Sequence, residues 1–104
     1  MCGIFFYKSD NEKDITDYAN KCQHRGPDNT KMQSIIYDNN HLYFVFHRLS
    51  INGLNSKSDQ PFYKKDNILM CNGEIYNYKS LAERYNIKLQ SDSDCEIILH
   101  LYEI

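Results

Sequence analysis

Residues 32–49 read MQSIIYDNNHLYFVFHRL, in which two apolar segments flank the polar triplet DNN. The segments cover residues 32–37 and 41–49, and both have the length and the aromatic and β-branched content of strands. Asp and Asn favour chain reversal because their side chains bond to the nearby backbone and tolerate positive φ. The stretch therefore predicts a β-hairpin, and with it a fold that contains antiparallel sheet.

Further elements are predicted on the N-terminal side of the hairpin. Residues 3–8 form a short apolar run of strand length. A helix is predicted next, and it must end near His24 because the Gly26-Pro27 pair interrupts helical structure. The predicted buried stripe of this helix, at helical spacing, consists of Ile15, Tyr18, Ala19 and Cys22.

The C-terminal side of the hairpin is predicted to continue as a loop, a strand and two helices. Residues 52–61 are rich in turn-forming types, and residues 67–71 form an apolar strand that ends at the turn signal Asn72-Gly73. Helices are predicted at 79–85 and after the capping residues 92–94. Their predicted inward-facing residues are Leu81, Ala82 and Tyr85 in the first helix and Ile97, Ile98 and Leu101 in the second.

The composition is that of one globular domain. The chain has 104 residues, of which 41% are hydrophobic and 13% aromatic, and these values suffice for a core. The net charge of −2, without a basic block, argues against nucleic acid and acidic membranes as partners. No apolar run reaches the roughly 18 residues of a membrane span, and no signal peptide is evident. A cytoplasmic location is therefore predicted.

The four cysteines do not form a CxxC pair, so neither a zinc ribbon nor a redox motif is indicated. In a reducing compartment a disulfide framework is not expected. Cys22, Cys71 and Cys95 are predicted to be small, buried, apolar side chains. The four histidines are scattered without the spacing of metal ligands, and no metal site is predicted.

Cys2 differs chemically from the other three cysteines because it follows the initiator methionine. A small side chain at this position permits removal of Met1, which leaves a free α-amino group beside the thiol. The amine has an ordinary pKa of about 7.7–8.0 and the thiol about 8.5, so one residue can supply a nucleophile and its base. A cysteine at position 2 carries little weight alone.

Other polar residues follow predicted strands or open a predicted helix. Arg48 can hold a carboxylate by paired bonds, acidic side chains such as Glu74 and Asp94 can hold an ammonium group, and Asn72-Gly73 can supply an oxyanion hole. Glutamine carries an α-carboxylate, an α-ammonium group and a side-chain carboxamide, whose carbonyl oxygen becomes the oxyanion. Each residue also has an ordinary structural explanation: Arg48 as a surface charge, Asn72-Gly73 as a hairpin turn, and Asp94 as a helix N-cap.

The order and wording of six segments favour the chemical explanation. The segments are MCGI at 1–4, HRGPD at 24–28, HRLSI at 47–51, QP at 60–61, NGEIYN at 72–77 and SDCE at 93–96. Together they resemble the glutaminase domain of glutamine-hydrolysing asparagine synthetases, which are class II glutamine amidotransferases within the N-terminal nucleophile hydrolases. The resemblance covers almost the whole chain.

The resemblance implies a role for each matching residue. Cys2 is the expected nucleophile after Met1 is removed, and Asn72 and Gly73 are the expected oxyanion-hole pair. Segment 24–28 is expected to be structural, shaping the loop beneath the site. The implied glutamine-binding residues are Arg48, Leu49, Ser50, Ile51, Asn52, Asn72, Gly73, Glu74 and Asp94.

The fold implied by the resemblance is α+β, an αββα four-layer sandwich of the N-terminal nucleophile hydrolase type. Residues 1–104 are expected to supply only its first part, about the N-terminal half of the class II domain. The missing strands are expected to leave unpaired strand edges and an exposed apolar face. The chain also departs from the family pattern at Phe6 and around Lys57 and Ser58, where glycine is usual, which affects loop shape.

The implied partners are L-glutamine and a separate synthetase domain or subunit, or a second copy in a homodimer. No cofactor is expected in this chain, because ATP and Mg²⁺ belong to the synthetase domain and no Ser-Gly-Gly phosphate loop occurs here. Two alternatives to an active glutaminase stay open, a non-catalytic truncated remnant and a glutamine-binding module.

Overall fold

A three-stranded antiparallel sheet is built around the predicted hairpin in the computed structural model, which describes residues 2–49 and 58–104. Strand β1 covers Gly3–Ser9, β2 covers Asn29–Tyr37 and β3 covers Asn40–Arg48. The strand order is β1-β3-β2, so the second arm of the hairpin lies at the centre. The hairpin prediction is confirmed.

The turn of the hairpin uses the chemistry that the sequence indicates. Asp38 has a φ of 50° and Asn39 a φ of 62°, and Asp and Asn tolerate this left-handed region better than other residues with a side chain. Two successive positive φ angles characterise the tight turns whose twist matches that of the flanking strands. The turn thereby fixes the register in which Tyr37 pairs with Asn40.

Helix α1, Thr16–Asn20, covers one face of the sheet. Alternate residues of β3 point to this face, and Tyr43 and Val45 pack there against Ile15 and Ala19. The buried His47 side chain ties the layers together. Its Nδ1 lies 2.8 Å from the Thr30 hydroxyl and its Nε2 lies 2.8 Å from the Ala19 carbonyl oxygen. Within the predicted helical stripe, burial is therefore confirmed for Ile15 and Ala19.

The first helix is shorter than the sequence predicts. After Asn20 the chain continues into a 3₁₀ turn at Gln23–Arg25. Because α1 has only 5 residues, its stripe does not extend to Cys22, which is half-buried. Tyr18 is 62% exposed, so its predicted burial is wrong.

A second unit carries the C-terminal part of the chain. Strands β4, Phe62–Lys64, and β5, Asn67–Leu69, form a two-stranded antiparallel sheet. Helix α3, Glu96–Tyr102, packs on it, and helix α2, Tyr78–Arg84, contacts α3. The buried cluster here consists of Phe62, Cys95 and Leu99.

Four sequence expectations need correction in this unit. Strand β4 falls in no predicted strand, and β5 ends at Leu69, earlier than predicted. In α3 the buried residues include Ile97 and Leu99, whereas Ile98 and Leu101 are only partly buried. Tyr85, predicted to face inward, is 43% exposed and lies just beyond the end of α2.

All strand pairs in the described part of the chain are antiparallel, and helices and strands are mixed, so the coarse fold class is α+β. The face of the large sheet opposite α1 is apolar and partly uncovered. We call this surface the outer sheet face. On it the Phe6 and Phe44 rings pack in a tilted arrangement with centroids 5.1 Å apart, and the face also includes Ile4. Phe6 is 52% exposed. No helix within residues 2–49 or 58–104 has the length and apolar character to cross a membrane.

Candidate active site

A cavity of about 90 Å³ lies where the N-terminus, the end of β3 and two loops of the second unit meet. Its lining draws on residues that are far apart in sequence, from Cys2 to Cys95. Seven of the residues predicted for the site lie on it, namely Cys2, Arg48, Leu49, Asn72, Gly73, Glu74 and Asp94. The other three predicted residues, Ser50, Ile51 and Asn52, lie outside the described residues.

The Cys2 thiol is positioned by backbone groups at the end of β3. The Leu49 amide N–H donates to Cys2 Sγ at 3.3 Å, and the Leu49 carbonyl oxygen lies 3.6 Å from the same sulfur. The Cys2 carbonyl oxygen accepts a hydrogen bond from Arg25 Nε at 3.3 Å. This location follows from the pairing of β1 with β3, in which Gly3 lies opposite His47.

The HRGPD segment at 24–28 packs beneath these two strand ends. A Cβ on Gly26 would overlap the His47 carbonyl oxygen, so only glycine allows the loop to approach this closely. The Asp28 amide N–H donates to the Arg48 carbonyl oxygen at 3.0 Å. These contacts agree with the structural role predicted for the segment, since it supports Cys2 and Arg48 from below.

Arg48 lies in the cavity wall and is only 6% exposed, so its interpretation as a surface charge is wrong. Its Nη1 donates to Asp59 Oδ1 at 2.7 Å, and Asp59 Oδ2 accepts from the Asn29 side chain at 2.8 Å. A buried guanidinium requires such a carboxylate partner, because desolvation of an unpaired charge is costly. Asp59 is a site residue that the sequence reasoning missed.

Gln60 is a second missed residue, and it fixes the backbone ahead of Asn72. Its Oε1 accepts from the Cys71 amide N–H at 2.6 Å, and its Nε2 donates to the Cys71 carbonyl oxygen at 3.1 Å. The side-chain amide thus pairs with Cys71 as a neighbouring strand would. The Gln60-Pro61 peptide bond is cis. The QP segment is part of the motif set, but its residue types alone do not indicate this contact.

The Asn72-Gly73 segment leads from β5 toward α2 and is not the turn of a hairpin, so that interpretation is wrong. Gly73 is exposed, and a Cβ placed on it would meet no atom within 4 Å. Its φ lies outside the left-handed region, so neither backbone conformation nor packing within the described chain demands glycine here. Gly73 is part of the cavity lining.

Two acidic residues border the same segment. The buried Asp94 carboxylate accepts a hydrogen bond from the Ile75 amide N–H at 2.6 Å. Because Cys95 holds the N-cap position of α3, the N-cap interpretation of Asp94 is wrong. Glu74 is exposed at the cavity edge, and its hydrogen bond and negative charge raise the pKa of the Tyr76 phenol.

Two of the three remaining cysteines also line the cavity. Cys95 is 3% exposed, as predicted, whereas Cys71 is only partly buried and Cys22 is half-buried elsewhere. Burial raises the pKa of the Cys95 thiol, and its contact with Cys71 adds to this effect. Across the described ranges, no cluster of three or more His, Cys, Asp or Glu residues could hold a metal ion.

A thiol at the second residue and an Asn-Gly segment around one cavity can supply the nucleophile and the oxyanion donors of acyl transfer. The buried arginine in the same cavity can bind a carboxylate. A family model described as a glutamine amidotransferase domain matches residues 1–104. The chain therefore belongs to the glutamine amidotransferase domain family.

The individual relatives are named as glutamine-hydrolysing asparagine synthetases. The chain is 40% identical over 110 residues to a probable glutamine-hydrolysing asparagine synthetase of Acanthamoeba polyphaga mimivirus, covering 100% of the chain and 20% of the relative. It is 37% identical over 113 residues to asparagine synthetase B of Escherichia coli, covering 99% and 20%. It is 38% identical over 92 residues to asparagine synthetase 1 of Arabidopsis thaliana, covering 86% and 15%. The chain thus spans a fifth or less of the length of these relatives.

Proposed function

We propose that the chain hydrolyses glutamine to glutamate and ammonia, with Cys2 as an N-terminal nucleophile after removal of Met1. The observation that carries the proposal is the convergence of Cys2, Arg48 and the 72–74 segment on one cavity. These groups come from distant parts of the chain, so their convergence reflects the tertiary fold and not a local sequence bias.

In the first step the Cys2 sulfur attacks the carboxamide carbon of glutamine, and the α-amino group of the same residue takes the thiol proton. The Leu49 amide N–H bonded to Cys2 Sγ stabilises negative charge on the sulfur as the thiol ionises. The side-chain amide of Asn72 and the N–H of Gly73 receive the developing oxyanion. Removal of one such donor typically lowers kcat about 10²–10³-fold.

Substrate recognition falls to the charged residues around the cavity. Arg48 binds the α-carboxylate of glutamine, and its bond to Asp59 holds the guanidinium in one orientation. Glu74 and Asp94 provide negative charge for the α-ammonium group. Leu49 lines the cavity, and we propose that Ser50, Ile51 and Asn52, which follow it in the sequence, also bind glutamine.

In the second step the amine returns the proton to the departing ammonia, and water hydrolyses the thioester to release glutamate. The half-reaction consumes no ATP and needs no metal ion, because a thiol and an amine supply both the nucleophile and the base. The ammonia passes to a synthetase domain or subunit, in which ATP and Mg²⁺ act. We place this activity in the cytoplasm.

We further propose that the chain forms the first part of an αββα sandwich, about half of a class II glutaminase domain. The uncovered outer sheet face supports this proposal, because an apolar sheet face is stable when a second layer packs on it. The second layer comes from the rest of the synthetase polypeptide, covalently joined or separate, and a homodimer is the alternative.

The test is covalent labelling of Cys2 with a diazo-ketone analogue of glutamine. The intact mass of the expressed chain should show loss of Met1 and one adduct, and digestion should place the adduct on Cys2. Cys2→Ala should lose the adduct and all glutamate release, whereas Cys22→Ala, a matched control outside the cavity, should keep both. A retained Met1 would contradict the mechanism, because the base would be blocked.

The two alternatives give different results in the same assay. A glutamine-binding module would show saturable glutamine binding by calorimetry with no glutamate release. A non-catalytic remnant would show neither binding nor an adduct. Glutamate release that survives Cys2→Ala would overturn the assignment of the nucleophile.

A further inference from the structure

The cavity lining contains two thiols that the glutaminase chemistry does not use. The Cys95 thiol donates to Cys71 Sγ at a sulfur–sulfur distance of 3.1 Å. Both residues line the cavity next to Asn72, Gly73 and Asp94. Neither takes part in a disulfide in this structure.

Both cysteines are held in place by contacts with neighbouring residues. The backbone N–H and carbonyl of Cys71 are bound by the Gln60 side chain. Cys95 stands at the N-cap of α3, and its Sγ also lies 3.6 Å from the Gly73 carbonyl oxygen. The sulfur–sulfur contact therefore joins α3 to the segment that carries Asn72 and Gly73.

We propose that Cys71 and Cys95 form an oxidation site, at which a peroxide admitted to the cavity converts the two thiols into a disulfide. The cavity of about 90 Å³ has room for hydrogen peroxide, since a water molecule needs only about 10–15 Å³ of such space. The sulfurs must approach from 3.1 Å to a bonded separation of about 2.05 Å, a small movement.

The reaction balances in two steps. The Cys71 sulfur, the less buried of the two, attacks one peroxide oxygen, the O–O bond breaks, and the products are a Cys71 sulfenic acid and water. The Cys95 sulfur then attacks the Cys71 sulfur and expels the hydroxyl group, which leaves as a second water with the Cys95 proton. Two thiols lose two electrons in total, and one hydrogen peroxide is reduced to two waters.

The disulfide would alter the site that Asn72 and Gly73 form, and this part of the inference rests on the proposed function. Drawing Cys71 toward α3 strains its two bonds to Gln60 and shifts the residues that follow it. A misplacement of about 1 Å in an active site can reduce the rate about 10²-fold. We expect glutaminase activity of the crosslinked chain to fall at least about tenfold and to recover with dithiothreitol.

The crosslink can be mapped without any activity measurement. Cleavage after lysine places each of the four cysteines in a separate peptide, because these peptides are bounded by the lysines at positions 8, 21, 31, 65, 79 and 88. The purified chain is treated with hydrogen peroxide, alkylated, digested without reductant and analysed by mass spectrometry. We expect peptide 66–79 to be joined to peptide 89–104, with a mass two hydrogens below the sum of the two thiol peptides. This pair should be in about tenfold excess over any other crosslinked pair, because only these two thiols are preoriented.

Matched variants complete the mapping. Cys22→Ser should keep the 66–79 to 89–104 link, and Cys71→Ser or Cys95→Ser should abolish it. Comparison of circular dichroism spectra ensures that each variant is folded. If Cys71 and Cys95 stay as thiols, or if either pairs more readily with Cys22 or Cys2, the inference is wrong whatever the activity of the chain.

The activity arm is separate from the crosslink. The glutaminase rate of each oxidised variant is divided by the rate of the same variant with its thiols reduced. The fold loss of activity on oxidation should be at least about tenfold greater in Cys22→Ser than in Cys71→Ser. Equal losses in the two variants would overturn the coupling to Asn72-Gly73, because peroxide would then act on Cys2. A chain that forms the crosslink but never releases glutamate would contradict the proposed function and leave the oxidation site supported.

Discussion

At the scale of single residues, Gly26 is required for packing, whereas Gly73 is not, so the two glycines allow effects on folding and on function to be tested separately. A methyl group at Gly26 would overlap the His47 carbonyl oxygen, whereas one at Gly73 would meet nothing within 4 Å. Gly26→Ala should therefore be strongly destabilising. Gly73→Ala should fold normally, yet place a methyl group where we propose that the glutamine carbonyl binds.

We expect Gly73→Ala to lower kcat/KM for glutamine at least about tenfold while the thermal midpoint changes by no more than about 2 °C. Steady-state glutamate release and thermal melts of the two glycine variants test this pair of expectations. A Gly73→Ala chain with full activity would count against placing the oxyanion beside Gly73.

Asp94 offers a second test at this scale, because asparagine has nearly the same shape without the charge. Asp94→Asn keeps an acceptor oxygen for the Ile75 N–H but loses the proposed attraction to the glutamine ammonium. A charge-assisted bond is worth about 1.5–3 kcal/mol, so KM should rise at least about tenfold with a small change in kcat. Asp66→Asn, at an exposed turn, is the control, and an unchanged KM in Asp94→Asn would mean a structural role only.

At the scale of elements, Glu96 links α3 to the loop that precedes it. Its carboxylate accepts from the Gln90 and Ser91 amides at 2.9 and 2.7 Å and lies 2.7 Å from His100 Nε2. Burial by itself would raise the pKa of Glu96. The hydrogen bonds from Ser91, Gln90 and His100 together outweigh burial, so the pKa lies below its usual value.

The lowered pKa of Glu96 gives a stability prediction with a definite sign. The stabilisation is fully present above the unfolded pKa of about 4.3 and is lost as the pH falls through the lower folded value. Glu96→Gln should reduce the free energy of unfolding by about 1–3 kcal/mol at pH 7. Urea melts at several pH values should show this difference shrinking below about pH 4. Glu83→Gln, on the exposed face of α2, should show no such dependence.

The elements also show which parts of the fold the sequence can predict. Strands β2 and β3 have 9 residues each and are joined by a turn with characteristic chemistry, so their local pattern suffices. Strand β4 has 3 residues and exists only because β5 pairs with it. So short a strand shows no periodic pattern in the sequence. The outward orientation of Tyr18 is likewise not evident from the sequence, because α1 is too short for a helical pattern to define its buried face.

The candidate site also contains residues that the sequence can predict and residues that it cannot. Cys2, Arg48 and Asn72 belong to motifs, and the motif order indicates that they act together. Asp59 and Gln60 act by contacting residues 11 positions away in the chain, as in the bond of Asp59 to Arg48 and of Gln60 to Cys71. No property of the two residues alone predicts those contacts, because they depend on how the second unit packs against β3.

At the scale of the whole molecule, the outer sheet face and the edges of the large sheet are open to association. Strands β1 and β2 are the outer strands of the described three-stranded sheet, and open edges and exposed apolar faces both favour association with another chain. Phe6 and Ile4 remain 52% and 37% exposed. Burying this area would contribute roughly 25 cal/mol per Å², which is a substantial gain for so small a domain.

We therefore expect the chain by itself to be marginally stable or to self-associate through the outer sheet face. Sedimentation should show an average mass that rises with concentration, and Phe6→Gln should lower it toward the monomer value. Ile36→Gln, at an exposed position on the opposite face of the same sheet, is the control and should leave the average mass unchanged. Addition of a synthetase polypeptide should displace the self-association, because both partners would cover the same apolar face. A monomer that melts cooperatively at high temperature and binds no hydrophobic dye would contradict this expectation, since the outer sheet face would then need no second layer.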